Sequence, residues 1–244
     1  AGGFNTQMFS DVLQQQVMKQ MGFGSLYDVA DVVTYKPEKS WNYEVGAHLS
    51  TPSHKVQADL ALFYIDCRDQ QLTVFPEGQV TGRLMTNAGR TRSFGGEASL
   101  LATLWRNLDL QVAYGYTRAT FVKFDTGKAD YAGNFIPYAP QHTLYAGASY
   151  TLRTGWNWLE YVIFRVAANG AGRIYWNEAN TFSQPFYALL EASIRFEHRH
   201  WAVDVWGRNL TDTRYDTFYF MSIGNSFLQR GRPRTFGVSL SITL

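Results

Sequence analysis

Phe236-Gly237-Val238-Ser239-Leu240-Ser241-Ile242-Thr243-Leu244 is the stretch whose pattern decides the fold. Phe236, Val238, Leu240, Ile242 and Leu244 fall on one side of an extended chain. Gly237, Ser239, Ser241 and Thr243 fall on the other. Successive side chains of a strand point to opposite faces. The stretch is therefore a strand with one wholly apolar face and one small, polar face.

The same alternation recurs upstream. Trp41, Tyr43, Val45, Ala47 and Leu49 alternate with Asn42, Glu44, Gly46, His48 and Ser50. Val56–Tyr64, Leu108–Thr117, Gln141–Leu152 and Ala188–Glu197 carry similar stripes. Three segments are less regular. Phe94–Leu104 contains two glycines, and Trp158–Ala168 is apolar on both faces. Trp201–Leu210 sets Asp204, Trp206 and Arg208 opposite Trp201, Val203 and Val205. The total is about nine strands, each near the ~9–11 residues that cross a bilayer at a tilt.

Composition narrows the setting. Of 244 residues, 16% are aromatic and only 17% are charged, against roughly 25% charged in a soluble domain. Tyr and Trp rings suit a lipid–water interface, and Trp41, Trp105, Trp156, Trp158 and Trp201 stand near predicted strand ends. No apolar run approaches the ~18–20 residues of a membrane-spanning helix, whereas barrel strands keep a modest mean hydropathy. The net charge of +2 and scattered basic residues argue against nucleic acid as a partner. The single cysteine, Cys67, excludes an intramolecular disulfide and a multi-cysteine metal site.

The links between strands alternate strictly. Residues 51–54, 105–107, 153–157 and 197–200 are short; 66–91, 124–140, 169–186 and 211–233 are long. Outer-membrane barrels have short periplasmic turns and longer extracellular loops. The fold class expected is all-β: an antiparallel transmembrane β-barrel with Leu244 at the periplasmic end. Residues 1–40 are then an extracellular loop region, and 41–244 are the barrel segment. An odd strand count starting in a loop, and an Ala1 start without a leader, imply that further strands precede this stretch. Asp11–Met21 is expected to form a short helix.

Catalysis and metal binding find little support. Ser53-His54 is a turn pair, and no Gly-x-Ser-x-Gly occurs. No nucleophile, base and orienting group converge in the sequence, so the chain is not expected to be an enzyme. His198-Arg199-His200 reads as a solvated turn rather than a metal site, and His48 and His142 as strand residues. Nothing calls for a cofactor.

Several motifs in order resemble TonB-dependent outer-membrane receptors, specifically siderophore receptors. They are Lys36-Pro37-Glu38-Lys39-Ser40 leading to Tyr43-Glu44-Val45-Gly46, and Asn87-Ala88-Gly89 leading to Ser93-Phe94-Gly95-Gly96-Glu97. Pro140-Gln141-His142, Asn209-Leu210-Thr211-Asp212 with Tyr215, and Gly231-Arg232-Pro233 complete the set. The resemblance implies a C-terminal portion of a 22-stranded barrel with a plugged lumen. It also implies TonB-coupled import of a scarce nutrient, a ferric siderophore first, with cobalamin, haem or an oligosaccharide as competitors. The partners implied are TonB, outer-membrane lipid and the nutrient. Two departures stand out: the chain ends in Leu244 where the family has Phe or Trp, and no plug or TonB-contacting box is present in it.

On this reading Glu44, Glu97, Glu191, Arg195, Asp204 and Arg208 face the lumen and the plug. Tyr175, Trp176, Asn177, Phe218, Tyr219, Phe220 and Arg230 are the outer-loop candidates for ligand contact. The reading from another class is a soluble all-β carbohydrate-binding sandwich, whose core would be the same apolar faces.

Overall fold

A computed structural model describes residues 3–4, 34–74, 84–105, 107–125, 129–222 and 225–243. The expected helix at 11–21 and the terminal Leu244 lie outside these residues. In chain order the strands are β1 (Gly3–Phe4), β2 (Thr34–Tyr35), β3 (Lys39–Ser50), β4 (Val56–Val74) and β5 (Leu84–Leu104). They continue with β6 (Leu108–Lys123), β7 (His142–Trp156), β8 (Leu159–Gly172), β9 (Ile174–Tyr175) and β10 (Ser183–Gln184). The last are β11 (Tyr187–His198), β12 (Trp201–Arg208), β13 (Asp216–Ser222), β14 (Asn225–Arg230) and β15 (Thr235–Ile242).

Nine strands form one antiparallel sheet in the order β15-β12-β11-β8-β7-β6-β5-β4-β3. Each long strand pairs with its successor in the chain, so the sheet is a meander with β3 and β15 at its edges. These nine are the nine expected from alternation, and the parity of short and long links also holds.

The cross-strand register lines side chains into rows. One row runs Leu49, Ala58, Leu100, Val112, Ala146, Ala168 and Leu190. The next row, one residue along, runs His48, Asp59, Ser99, Ala113, Tyr145, Asn169 and Leu189. Because the period is two, the first face is apolar throughout and the second is largely polar. Polar pairs stitch the second face: His48 Nδ1 lies 2.5 Å from Asp59 Oδ1, and Ser99 Oγ donates to Asp59 Oδ2 at 2.9 Å. Thr103 Oγ1 donates to Asp109 at 2.7 Å.

A sandwich would cover the apolar face with a second sheet. Here Val45 and Val238 are each 68% exposed, and among the described residues no second sheet covers the row. The soluble-sandwich reading is therefore overturned: the apolar face is turned outward, as a membrane wall requires. Aromatic residues mark both margins of that face. Tyr43 and Tyr64 rings lie 6.4 Å apart on the long-loop side, and Trp156 stacks on Trp158 at 5.3 Å on the short-link side.

One expectation needs correcting. The sequence reads 66–91 as wholly loop, yet β4 and β5 stay paired from Arg68↔Arg90 to Val74↔Leu84. Continuing the ladder satisfies backbone groups that an irregular loop would leave to water. The link 211–233 likewise holds a hairpin, β13–β14.

The two faces of β6 supply a test. Val112→Arg, on the lipid side, should cost about 2–4 kcal/mol, whereas Gln111→Arg, on the polar side, should cost well under half of that. The folded fraction in detergent, read by heat-modifiable gel migration across a urea series, separates the two.

Candidate functional site

The long links converge at one end of the sheet. The 124–141 link turns back on β6: Phe121 N donates to the Asn134 carbonyl at 2.9 Å, and Ile136 N to the Ala119 carbonyl at 3.0 Å. Phe121, Phe124, Ile136 and Ala119 form a small core there. The next link follows from β8 through the β9–β10 ribbon, and the third contains the β13–β14 hairpin.

Asn180 joins the first two links. Phe135 N donates to its Oδ1 at 2.7 Å, and its Nδ2 donates to the carbonyls of Phe135 and Asn177 at 2.9 and 3.0 Å. Its φ of +56° is one that Asn tolerates better than most residues. Asn134 Nδ2 adds a bond to the Glu178 carbonyl at 2.9 Å. Tyr138 brings in the third link, because its hydroxyl donates to the Tyr219 carbonyl at 2.9 Å. Burial, with a smaller effect from Glu178, pushes the Tyr138 phenol above its ordinary pKa.

Rings fill the space between the links. Tyr138 stacks on Phe218 at 5.6 Å and tilts against Trp176 at 5.5 Å. Phe182 stacks on Tyr219 at 4.6 Å and Phe135 on Tyr175 at 5.4 Å, while Phe220 stacks on Phe227 at 4.9 Å within the β13–β14 hairpin.

The loop candidates named from sequence divide by environment. Trp176 and Tyr219 are buried together with Ile174. Asn177 closes its own turn, accepting from the backbone of Thr181 at 3.0 Å and donating to the Thr181 hydroxyl at 2.7 Å. Tyr175, Phe218 and Phe220 are half-buried in the cluster, and Arg230 is exposed. Arg230 Nε stands 3.8 Å from Asp216 Oδ1, an ion pair without a hydrogen bond. Sequence reasoning missed Tyr138, Asn180, Phe135 and Phe182. Tyr138 is legible only as part of the approach to β7, and nothing in local pattern marks Asn180 as a lock.

The polar face also forms a groove of about 490 Å³. Glu191, Asp204 and Arg208 line it, together with Arg165, Trp206 and Ser239. Asn169 Nδ2 donates to Glu191 at 3.1 Å, and the Arg208 guanidinium lies 4.8 Å over the Trp206 ring. Arg195 faces Asp204 in register but pairs with Glu197 at 2.8 Å. Asp204 Oδ1 is shielded and has no hydrogen-bond partner among the described residues. Glu44 and Glu97 sit on the same polar side, further along the sheet and outside the groove. Arg165 escapes the sequence pattern because its strand looks apolar on both faces.

Several motifs acquire a physical meaning. Asn209 is buried at the exit from β12, and its Nδ2 donates to the carbonyls of Thr213 and Arg232, both at 3.0 Å. Arg234 N donates to Asp212 Oδ1 at 3.1 Å. Gly231 lies under the Tyr215 ring, where an added Cβ would come within 2.1 Å of it. These bonds tie the two ends of the third long link together above β12 and β15.

A one-sheet wall with an apolar outer face and interlocked long loops is the architecture of an outer-membrane receptor barrel. Residues 5–210 match the family model described as TonB dependent receptor-like, beta-barrel. The chain belongs to that family, and its place is the bacterial outer membrane. It is 28% identical over 218 residues to the pesticin receptor of Yersinia pestis, covering 87% of this chain and 30% of that protein. It also aligns with the structure of the ferric yersiniabactin uptake receptor from Yersinia pestis. That alignment has a TM-score of 0.71 and 25% identity, over 86% of this chain and 30% of that one. The unliganded ferric citrate transporter shares the fold, with a TM-score of 0.65 at 22% identity over 98% of this chain and 35% of that one. These relatives are transport receptors rather than enzymes, and the chain spans about a third of their length or less.

Asn180→Ala removes three hydrogen bonds and places Ala at positive φ, so about 1–3 kcal/mol of local stability should go. Hydrogen exchange should quicken in 131–138 and 175–182 while β6–β8 stay protected. Uniform exchange rates in both proteins would show that Asn180 does not lock the loops.

Proposed function

We propose that the chain acts as part of an outer-membrane receptor that imports a ferric siderophore with energy delivered through TonB. The observation that carries the reading is the fusion of three long links into one aromatic roof at a single end of the wall. A roof held by Asn180 and Tyr138 presents rigid groups to a ligand, which lowers the ordering cost of binding. The match to a ferric yersiniabactin uptake receptor supports the choice of a ferric siderophore over other nutrients.

In this proposal Phe218, Phe220 and Tyr175 offer ring edges and faces, and Arg230 offers a cation to an anionic chelate. Trp176, Tyr219 and Asn177 contribute by holding those groups in place. Residues 1–40 belong to an outer loop region, and 41–244 are the barrel segment, its wall strands together with their links. The plug, carried elsewhere in the complete receptor, rests against Glu44, Glu97, Glu191, Arg195, Asp204 and Arg208. Asp204 and Arg208 flank the groove and suit partners of opposite charge.

Uptake of ⁵⁵Fe-siderophore by cells lacking their own copy, with and without the complete receptor, tests the proposal. Import should require both the receptor and TonB. Phe218→Ala with Arg230→Ala should weaken ligand binding roughly tenfold or more, the ring and the cation each supplying about 1 kcal/mol. Accumulation that is independent of the receptor or of TonB would rule the reading out.

A further inference from the structure

The last long link leaves one edge unsealed. β13 and β14 form a two-stranded ribbon, joined to no third strand among the described residues. Gly231 N donates to the Tyr215 carbonyl at 2.8 Å, and the Thr217 hydroxyl donates to the Gln229 carbonyl at 3.1 Å. The backbone groups of Gln229 and Gly231 therefore point toward β13. Direction alternates along an antiparallel strand, so those of Ser226, Leu228 and Arg230 point away from it.

The far flank of β13 meets the same need and has it satisfied. Asp216 N donates to Gln184 Oε1 at 2.9 Å, and the Tyr219 carbonyl accepts from the Tyr138 hydroxyl at 2.9 Å. Both bonds come from the other long links. β14 has no such cover: its residues are all exposed, Phe227 at 47% and Leu228 at 45%. Nor is its edge blunted, because Asn225-Ser226-Phe227-Leu228-Gln229-Arg230 holds no Pro and no Lys. An exposed apolar edge of this kind is a template for a further strand.

The topology says where that strand comes from. β14 runs through Gly231-Arg232-Pro233-Arg234 into β15, an open edge of the nine-stranded sheet. A membrane barrel is closed, so β15 pairs with another strand of the complete receptor. This chain covers 30% of the pesticin receptor that it matches, which leaves room for that strand outside it. β15 descends from a long link, so its antiparallel partner ascends and emerges beside the foot of β14. We propose that the outer link carried by this closing strand adds a third strand to the β13–β14 ribbon, along the edge formed by Ser226, Leu228 and Arg230. Main-chain bonds hold the added strand, and Phe227 and Leu228, which project to opposite faces of the ribbon, each cover one of its side chains. The roof of loops is thereby continued across the seam at which the barrel closes, whatever nutrient the receptor carries.

The complete receptor in mild detergent serves for the test, read by hydrogen exchange with fragmentation that resolves single amides. Ser226, Leu228 and Arg230 should exchange at least roughly tenfold more slowly than in a receptor whose closing-strand outer link is replaced by a short Gly-Ser turn, the scale of one or two ladder bonds. Phe227 and Gln229, whose amides point toward β13, should be equally slow in both, which shows that the ribbon is intact. Heat-modifiable migration shows that each variant is folded. Where the shortened receptor does not fold, Leu228→Pro replaces it, because this change removes an outward-pointing N–H and keeps the ladder to β13. Ser226 and Arg230 should then exchange faster, whereas Leu228→Ala should leave them slow. Fast exchange of these amides in the intact receptor overturns the proposal, as does slow exchange that survives the shortened link or the proline. Protection that rises with receptor concentration would assign the edge to a second copy and overturn the choice of occupant.

Discussion

Hydrocarbon offers no hydrogen bonds, and every backbone amide and carbonyl that enters it must find a partner within the protein. That requirement organises the molecule. The meander from β3 to β15 places each strand beside its successor, so inner strands satisfy both of their flanks. A helix would meet the same requirement, but no apolar run of the sequence reaches the ~18–20 residues that one needs, and the alternation is that of strands. The ladder even outlasts the membrane: β4 and β5 stay paired through Val74↔Leu84, well past the aromatic margin.

Once the ladder is set, the two-residue period does the sorting. One register step separates the Leu49-to-Leu190 row from the His48-to-Leu189 row. The first meets lipid and gains by being left uncovered. The second face carries Asp59, Asp109, Glu191 and Asp204, which need donors or water. A slip of one residue would exchange these environments at every position of a strand. Register is therefore held by the chemistry of both faces together, and short links leave little slack to lose it.

The loops follow a different rule. Freed from lipid, they are shaped by side-chain locks rather than by alternation. Asn180, Asn209 and Tyr138 each bond to backbone that is distant in sequence. The aromatic rings then close the gaps. Such a roof keeps its exposed groups in fixed positions above the wall, which is the property a selective receptor needs.

The sequence alone revealed the nine strands, which face of each is apolar, the parity of the links and the family of motifs. All of these follow from local rules: a period of two, the bilayer's thickness and the turn chemistry of Gly, Pro and Asn. The six charged positions assigned to the polar face could be sorted by counting alone. What counting could not supply was company. Asp204 and Arg208 share a groove with Arg165, yet Arg195 turns to Glu197 instead. Trp176 and Tyr219, which read as loop-tip aromatics, lie buried against Ile174. The cations at Lys39, Arg68 and Arg90 are far apart in the chain and stand in one row. Only tertiary structure decided these pairings, because they depend on cross-strand register and on how three separate loops meet, and neither is encoded in any single stretch of residues.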